Sequence, residues 1–319
     1  MKVDRWKRYF ANLTPVIGLL VLMGAFFVIG TKEDINITYG LQTIINQSVV
    51  VAVVATGAVF IYTLGSFDIS LGAAVAVSAL MGAISYNKTK SILVMFLVCV
   101  SVAILISLFN SVLASFFNLP VFVTTIAMLS VLNALVLILI KINGTGSQIA
   151  VPADAVMDLD SLGVKLTVLI LFVIVCIILF NFTSIGRMQK FIGGNATCAK
   201  LTGISGSKMA IVAFAIAGIG VGLGAFLTII YAPTLTKDTA SSVGMDIIIA
   251  IVFGGMPVSG GARSKIYAAV IGAFSMTFLG QIMILLNFNS GIGQMVKAAI
   301  FIIIVYIASS NHKNKLLPR

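Results

Sequence analysis

Asp68 is the first residue with chemical potential, because it stands between two strongly apolar stretches, Val49–Ile61 and Leu71–Ala83. An ionised carboxylate at mid-bilayer costs about 2.5–3.5 kcal/mol on insertion scales, so such a group is held by a partner or lines a water-filled path. With Gly65 before it and Ser70 and Gly72 after it, Asp68 reads as a cap at a helix break, accepting backbone N–H bonds. Asp246, at the start of a short apolar run, reads as an ordinary acid in a first helical turn, and Lys297 as a side chain that snorkels to an interface. A proton relay needs several ionisable groups in series at depth, and these do not form one. The single histidine, His312, excludes a His-based triad or an HExxH zinc site, and Cys99, Cys176 and Cys198 have neither disulfide nor metal spacing.

A second cluster lies in Gly186–Lys208. Here Asn195 is a good N-cap, Ala196, Thr197, Cys198, Ala199, Lys200 and Leu201 favour helix, and Gly203 can close it in the left-handed conformation. Two capped turns make a rigid knob on which a partner can push. A third feature is an internal echo: Gly65-Ser66-Phe67-Asp68-Ile69-Ser70-Leu71-Gly72 resembles Gly254-Gly255-Met256-Pro257-Val258-Ser259-Gly260-Gly261. Glycine- or proline-interrupted segments in two halves of a chain point to a transport site.

The elements that position these residues follow from composition. Of 319 residues, 60% are hydrophobic and 9% charged, against about 45–50% and 25% in soluble domains. The chain is therefore an all-α polytopic membrane protein, which excludes soluble-enzyme readings. The net charge of +11 is explained by basic residues retained in cytoplasmic segments rather than by nucleic acid, since no basic run is interleaved with aromatics. A span needs about 20 apolar residues, and ten spans are expected, near 13–30, 41–62, 66–85, 91–117, 119–140, 165–182, 209–231, 246–257, 266–287 and 291–309. One or two are expected to be broken or re-entrant. The basic N-terminus precedes a run too long for a signal peptide, which reads as a first helix that stays.

The expected organisation is a cytoplasmic N-terminal segment (1–12), one transmembrane domain (13–309) with a cytoplasmic loop near 183–208, and a cytoplasmic tail (310–319). The 183–208 loop carries Arg187, Lys190, Lys200 and Lys208 and no acid, whereas Asp154, Asp158 and Asp160 place the 141–163 loop outside. Lys88 and Lys90 fall outside on this count, against the rule, which keeps a re-entrant segment between residues 60 and 85 open. Asn110, Asn118, Thr124, Thr125 and Asn133 are hydrogen-bonding groups in apolar surroundings, with no face assigned.

Taken together, these segments resemble the permease family of bacterial ABC importers for ribose, other monosaccharides, nucleosides and autoinducer-type sugars. Gly65–Gly72 matches the family pattern GGIDLSVG, Gly186-Arg187 recurs, and Gly193–Ile204 matches GGNPEAARLSGI. Gly254-Gly255 with Ser259-Gly260-Gly261 matches GGxxxxGG, and the likeness runs from about 40 to 308. The resemblance implies a permease subunit that forms a sugar pathway by alternating access, in the bacterial inner membrane with both termini cytoplasmic. It also implies a second permease (identical or not), two ATPase subunits docked on Asn195–Gly203, and an extracytoplasmic sugar-binding protein. The chain has no GxxxxGK[ST] phosphate loop, so ATP and Mg are expected on the ATPase, this chain needing no cofactor or metal and being no enzyme itself. The broken helices at Gly65–Gly72 and Gly254–Gly261 are the expected hinges or pathway linings. Thr197 and Cys198 depart from the family pattern, which carries an acid there. Gly244 stands where the family often has Glu, and Ser66-Phe67 replaces Gly-Ile. The alternatives are a nucleoside or branched-chain amino-acid importer permease or, further off, an ion-coupled secondary carrier. An intramembrane enzyme lacks its motifs.

Overall fold

The structure is a computed structural model that describes residues 2–32, 36–240 and 243–313, with side chains from Leu13 onward except at 290, 304 and 307–313. His312 and the basic terminal residues that suggested orientation (Lys2, Arg5, Lys7, Arg8, Lys313, Lys315 and Arg319) lie outside the described side chains. Thirteen helices occur in chain order among the described residues. They are α1 Lys2–Lys32, α2 Ile37–Thr63, α3 Leu71–Thr89, α4 Ile92–Phe116, α5 Val121–Asn143, α6 Ala153–Val156, α7 Leu162–Phe182, α8 Ser184–Gly194, α9 Ala196–Leu201, α10 Gly206–Tyr231, α11 Val243–Phe253, α12 Ile266–Leu285 and α13 Ser290–Lys313. Two short strands, β1 Gln148–Ala150 and β2 Thr234–Thr236, pair antiparallel with Ile149 opposite Leu235.

Seven helices are long and apolar enough to cross a membrane: α1 (its Leu13–Lys32 part), α2, α4, α5, α7, α10 and α12. The other three expected spans exist as helices with different character. The 66–85 segment becomes α3, starting at Leu71, because residues 64–70 are non-helical. The 246–257 segment becomes α11, which stops at Phe253 where Gly254-Gly255 takes over and has only 11 residues. In α13 the apolar stretch is Gly291–Ile303. α2 and α3 carry the core, with Val49–Ile61 and Leu71–Val77 almost wholly covered. α4 and α7 turn apolar faces outward instead, such as Leu105, Phe109, Ile174 and Ile178. That is the order expected where lipid, not water, covers the outside.

The chain repeats its own plan. A long helix, a break, and a helix with glycine in second place occur as α2, 64–70, α3 (Gly72) and again as α10, a break over 232–240, α11 (Gly244). Equivalent contacts follow: α3 packs on α4 and α5, and α11 on α12 and α13; α10 packs on α4, and α2 on α12. The repeat units meet at their glycines. A Cβ on Gly72 would lie 3.0 Å from the Gly244 Cα, and one on Gly244 3.4 Å from the Gly72 nitrogen. The echo read from sequence does not mark equivalent positions in this plan: 65–72 spans the break between α2 and α3, whereas 254–261 lies between α11 and α12. They resemble each other because both are glycine-rich turns, and the counterpart of Gly72 is Gly244.

The bundle has two distinct ends. One carries α8, α9 and the 254–265 turn. The other carries the strand pair, with Asn87 Nδ2 donating to Ala150 O at 2.9 Å, and with it Lys88 and Lys90.

Candidate coupling joint and helix breaks

At the α8–α9 end, three segments that are far apart in sequence meet backbone to backbone. α2 ends at Thr63, and Leu64 and Gly65 close its last turn by donating to Ile61 O and Tyr62 O at 3.1 and 3.0 Å. Against that turn lies Ser259–Gly261. A Cβ on Gly260 would lie 2.8 Å from Thr63 O and 2.9 Å from Gly65 N, and Gly260 has φ +67° and ψ −146°, a region open essentially to glycine alone. The third member is Gly193, at the end of α8. A Cβ there would overlap Thr63 O and stand 2.8 Å from Gly261 N. Gly65, Gly193, Gly260 and Gly261 therefore form one joint, and no side chain separates the three strands of backbone. Ser259 contributes its carbonyl, 3.3 Å from where a Gly65 Cβ would sit.

α9 leaves this joint directly. Asn195 ends α8 by donating its N–H to Phe191 O (3.0 Å) and starts α9 by accepting from Cys198 N at Oδ1 (3.0 Å). At the other end Gly203 (φ +81°) lets its N–H reach Lys200 O (3.1 Å), while Ile204 N reaches Ala199 O (3.0 Å). The cap, the helix and the glycine stop all lie where the residue types placed them. Ala199 is the buried residue of α9, and Ala196, Thr197, Cys198, Lys200 and Leu201 are exposed. Leu201 is 83% exposed, which leaves an apolar tip on a polar end of the molecule.

α8 was not legible as a helix beforehand, although its Thr183 cap and its alternation of buried Gly186, Gln189 and Ile192 are visible once the helix is known. Gly186 is required by the sharp turn from α7, since a Cβ there would overlap the Phe180 backbone. Lys190 reaches back across that turn to Asn181 Oδ1 (3.2 Å) and lies 4.1 Å above the Phe180 ring. Partial burial lowers its pKa from the ordinary lysine value. Arg187, Lys190, Phe191, Gly194, Asn195 and Ala262 line an open groove of about 410 Å³ beside the joint.

Residues 66–70 run from the joint into the bundle. Asp68 is buried (1% exposed), and its Oδ1 accepts from Ser70 N at 2.8 Å and Ser70 Oγ at 2.7 Å. Asn110 Nδ2, on α4, donates to Ser70 Oγ (2.9 Å), and Ile69 N donates to Thr125 Oγ1 on α5 (3.4 Å). Asp68 thus fixes a turn just before α3, whose N-cap residue, Ser70, makes no side-chain cap bond of its own. The Ser70 hydroxyl, fixed by the carboxylate, holds the break to α4, and the Ile69 N–H holds it to α5. Gly254 and Gly255 lie elsewhere. Gly254 lets α11 press on the Ala268 backbone of α12, and Gly255 (φ +91°) meets Pro15 of α1.

Two ion pairs escaped the sequence reading. Asp246 and Lys297, read separately as a first-turn acid and a snorkelling lysine, are bonded to each other at 2.6 Å and tie α11 to α13. Lys165, buried at the strand-pair end, contacts Asp160 and donates to Asn46 Oδ1 of α2 at 2.6 Å. Asp246 and Lys297 lie 51 residues apart and Asn46 and Lys165 119 apart, which leaves no signal in local spacing.

Comparison with known proteins gives a consistent picture. Residues 40–305 match a family model described as branched-chain amino acid transport system / permease component. The chain is similar to the probable ABC transporter permease protein YphD of Escherichia coli (strain K12), 32% identical over 59% of this chain and 57% of that protein. The aligned part thus spans little more than half of that relative. It is 24% identical to the ribose import permease protein RbsC of Haemophilus influenzae over 95% of this chain and 94% of the relative. The autoinducer 2 import system permease protein LsrC of Photorhabdus laumondii is 25% identical over 86% and 82%. No solved structure matches the chain.

Proposed function

Because the chain belongs to the family of permease components of branched-chain amino acid-type transport systems, we propose that it forms half of the translocation pathway of an ATP-driven importer for a ribose-like monosaccharide. It is a multi-pass protein of the inner membrane. The family is a membrane component and not itself catalytic, so ATP and Mg belong to a separate ATPase chain. A second permease subunit completes the pathway, an extracytoplasmic sugar-binding protein delivers the solute, and two ATPase subunits engage α9. Sugar is preferred to an amino acid or nucleoside because relatives aligned over most of the chain carry ribose and autoinducer 2 in their names.

The observation that carries the mechanism is the joint. α9 is the exposed knob, and Gly193, two residues before it, is wedged between the end of α2 and the 260–261 turn. A push on α9 therefore reaches both helix breaks together. We place the α8–α9 end in the cytoplasm, with both termini, and the strand pair outside. In this orientation α3 and α13 cross with the seven long spans. The 11 residues of α11, about 16 Å long, reach only about halfway through a 30 Å core and form a broken segment with 232–240. An ion-coupled carrier is disfavoured because Asp246 and Lys297, and Lys165 and Asp160, are paired with each other.

The experiment is reconstitution of the tagged chain with whatever co-purifies in mild detergent, followed by uptake of labelled D-ribose into vesicles. The expected result is ATP-dependent uptake with an ATPase and a binding protein in the preparation. Uptake by the chain alone, without ATP, would overturn the importer reading. Saturable uptake of leucine but not ribose would overturn the sugar.

A further inference from the structure

Among the five amide and hydroxyl groups singled out from sequence, one is exposed at the middle of a long helix with no described partner. Asn110 is buried on Ser70. Thr124 and Thr125 bond to the carbonyls of Val121 and Phe122, and Asn118 lies in the turn between α4 and α5. Asn133 differs. It sits at the midpoint of α5, is exposed, and hydrogen-bonds to no other described residue. Lipid is a poor neighbour for an amide with two donors and an acceptor to satisfy. The outward faces of α4 and α7 show what lipid contact looks like here: Leu105, Phe109, Ile174 and Ile178, with Ser101 turned back onto its own helix at Leu97 O.

The neighbours of Asn133 decide what it faces. Ser130 precedes it by three residues and Lys141 follows it by eight, so at 3.6 residues per turn the three share one flank of α5. All three are exposed; Ser130 turns its hydroxyl to Ile126 O (3.5 Å) as Ser101 does on α4, so Asn133 and Lys141 are the polar groups that carry the flank from the helix centre to the strand-pair end, with Ala134 and Leu137 between them. In the opposite direction it continues as Ile126 and Phe122. A contact between two helices calls for one or two polar residues at the crossing with small ones around them, whereas a polar line that opens towards one end suits water.

We propose that this flank of α5 borders the water-filled translocation path, and that the Asn133 amide hydrogen-bonds the hydroxyl groups of the passing polyol. Asn133 is then a specificity-determining residue for the transport reaction; the inference rests on the permease reading above. The bonds it makes are few and exchange with water, as a path that must release its cargo requires.

Single cysteines at 133, 130, 105 and 174 test this in the full complex, in its own membranes, with a charged, membrane-impermeant methanethiosulfonate reagent. Peptide mass spectrometry separates each site from the exposed native Cys198, Cys99 and Cys176 being buried. Modification needs the thiolate, so Asn133→Cys and Ser130→Cys are expected to react roughly a hundredfold faster than Leu105→Cys and Ile174→Cys, the penalty for an ionised group in lipid written as a rate ratio. Equal, slow modification at all four sites overturns the proposal. So does rapid disulfide formation between two Asn133→Cys copies without modification by the reagent, which would make Asn133 a helix contact. D-ribose uptake is compared for Asn133→Gln and Asn133→Leu, the first expected to keep KM within a few-fold and the second to raise it. If the unaltered complex imports no ribose, the sugar reading fails while the labelling still tests the water path.

Discussion

The joint at Gly193 and Gly260 predicts a graded series of alanine substitutions in one short stretch of structure. Gly194 has open space around it and no unusual φ, so Gly194→Ala is expected to change stability by no more than about 0.5 kcal/mol. Gly203 has open space but φ +81°, so Gly203→Ala carries only the left-handed penalty, about 1–2 kcal/mol. Gly193 has the reverse problem, an ordinary φ but two backbones in the way, and overpacking of this kind costs about 1–3 kcal/mol. Gly260 has both, which sums to roughly 2–6 kcal/mol when its glycine-only conformation is included. The order of thermal stability in mild detergent is therefore Gly194→Ala, Gly203→Ala and Gly193→Ala, then Gly260→Ala. Function separates them more sharply. In vesicles with the ATPase present, Gly193→Ala pries the end of α8 from Thr63 and Gly261, and a bias of about 1–3 kcal/mol shifts a conformational equilibrium about 5–150-fold. Uptake falls accordingly while ATP hydrolysis persists. If Gly193→Ala imports as well as Gly194→Ala, the three backbones are not in load-transmitting contact, and the reasoning fails.

Other perturbations test neighbouring parts. Replacing Gly203 by Pro, or deleting Ala196–Leu201, is expected to abolish uptake while membrane insertion, measured by protease protection, stays intact; normal uptake would remove α9 from the coupling path. Asp68→Ala leaves the Ser70 N–H without its acceptor at a buried site and is expected to cost about 1–3 kcal/mol. Asp68→Asn keeps an oxygen acceptor and is expected to be milder in yield and thermal stability, with the range of imported solutes unchanged. An altered solute range at normal protein level would move Asp68 from the break into the path. Asp246→Asn or Lys297→Met alone strands a charge between α11 and α13, at about 3–5 kcal/mol. The double substitution is expected to recover most of the loss, and additive losses would show that the pair is not coupled.

Legibility in the sequence depended on the range of the interaction. α9 was readable in full because Asn195, Ala196–Leu201 and Gly203 are a cap, a helix and a stop, each set by residues within four positions. The long spans were readable because hydropathy sums over a window, and the ends of the apolar stretches fall within a few residues of those expected, although α1 itself starts earlier, at Lys2. α8 was missed because its apolar residues are spaced among Arg187, Lys190 and three glycines and do not form a run. The Asp246–Lys297 pair and the strand pair were missed because nothing in either segment signals the other. The internal echo was misjudged for a related reason. Glycine patterns record a need for close approach, and both 65–72 and 254–261 have that need because they press on each other.

That mutual pressing gives the two repeat units a common control point. The end of α2 and the 260–261 turn beyond α11 are both held at the joint by Gly193, while α3 and α11 begin against each other at Gly72 and Gly244. Interfaces packed at backbone contact have no soft side chain to absorb a displacement, so they shift as units or separate. A movement of α9 is therefore delivered to the end of α2 and to the 260–261 turn in the same step, and through the segment that joins this turn to α11 to the Gly72–Gly244 crossing inside the bundle. Gly244 fits this geometry where a glutamate would not, since a side chain larger than a methyl group would have to displace Ile69 or the first turn of α3. A Gly244→Glu substitution is accordingly expected to force α3 and α11 apart. Cross-linking between cysteines placed at 73 and 245 would report this as a lower yield than in the Gly244 background. An unchanged yield would mean that the crossing is looser than its glycines imply, and that α9 acts on α2 alone.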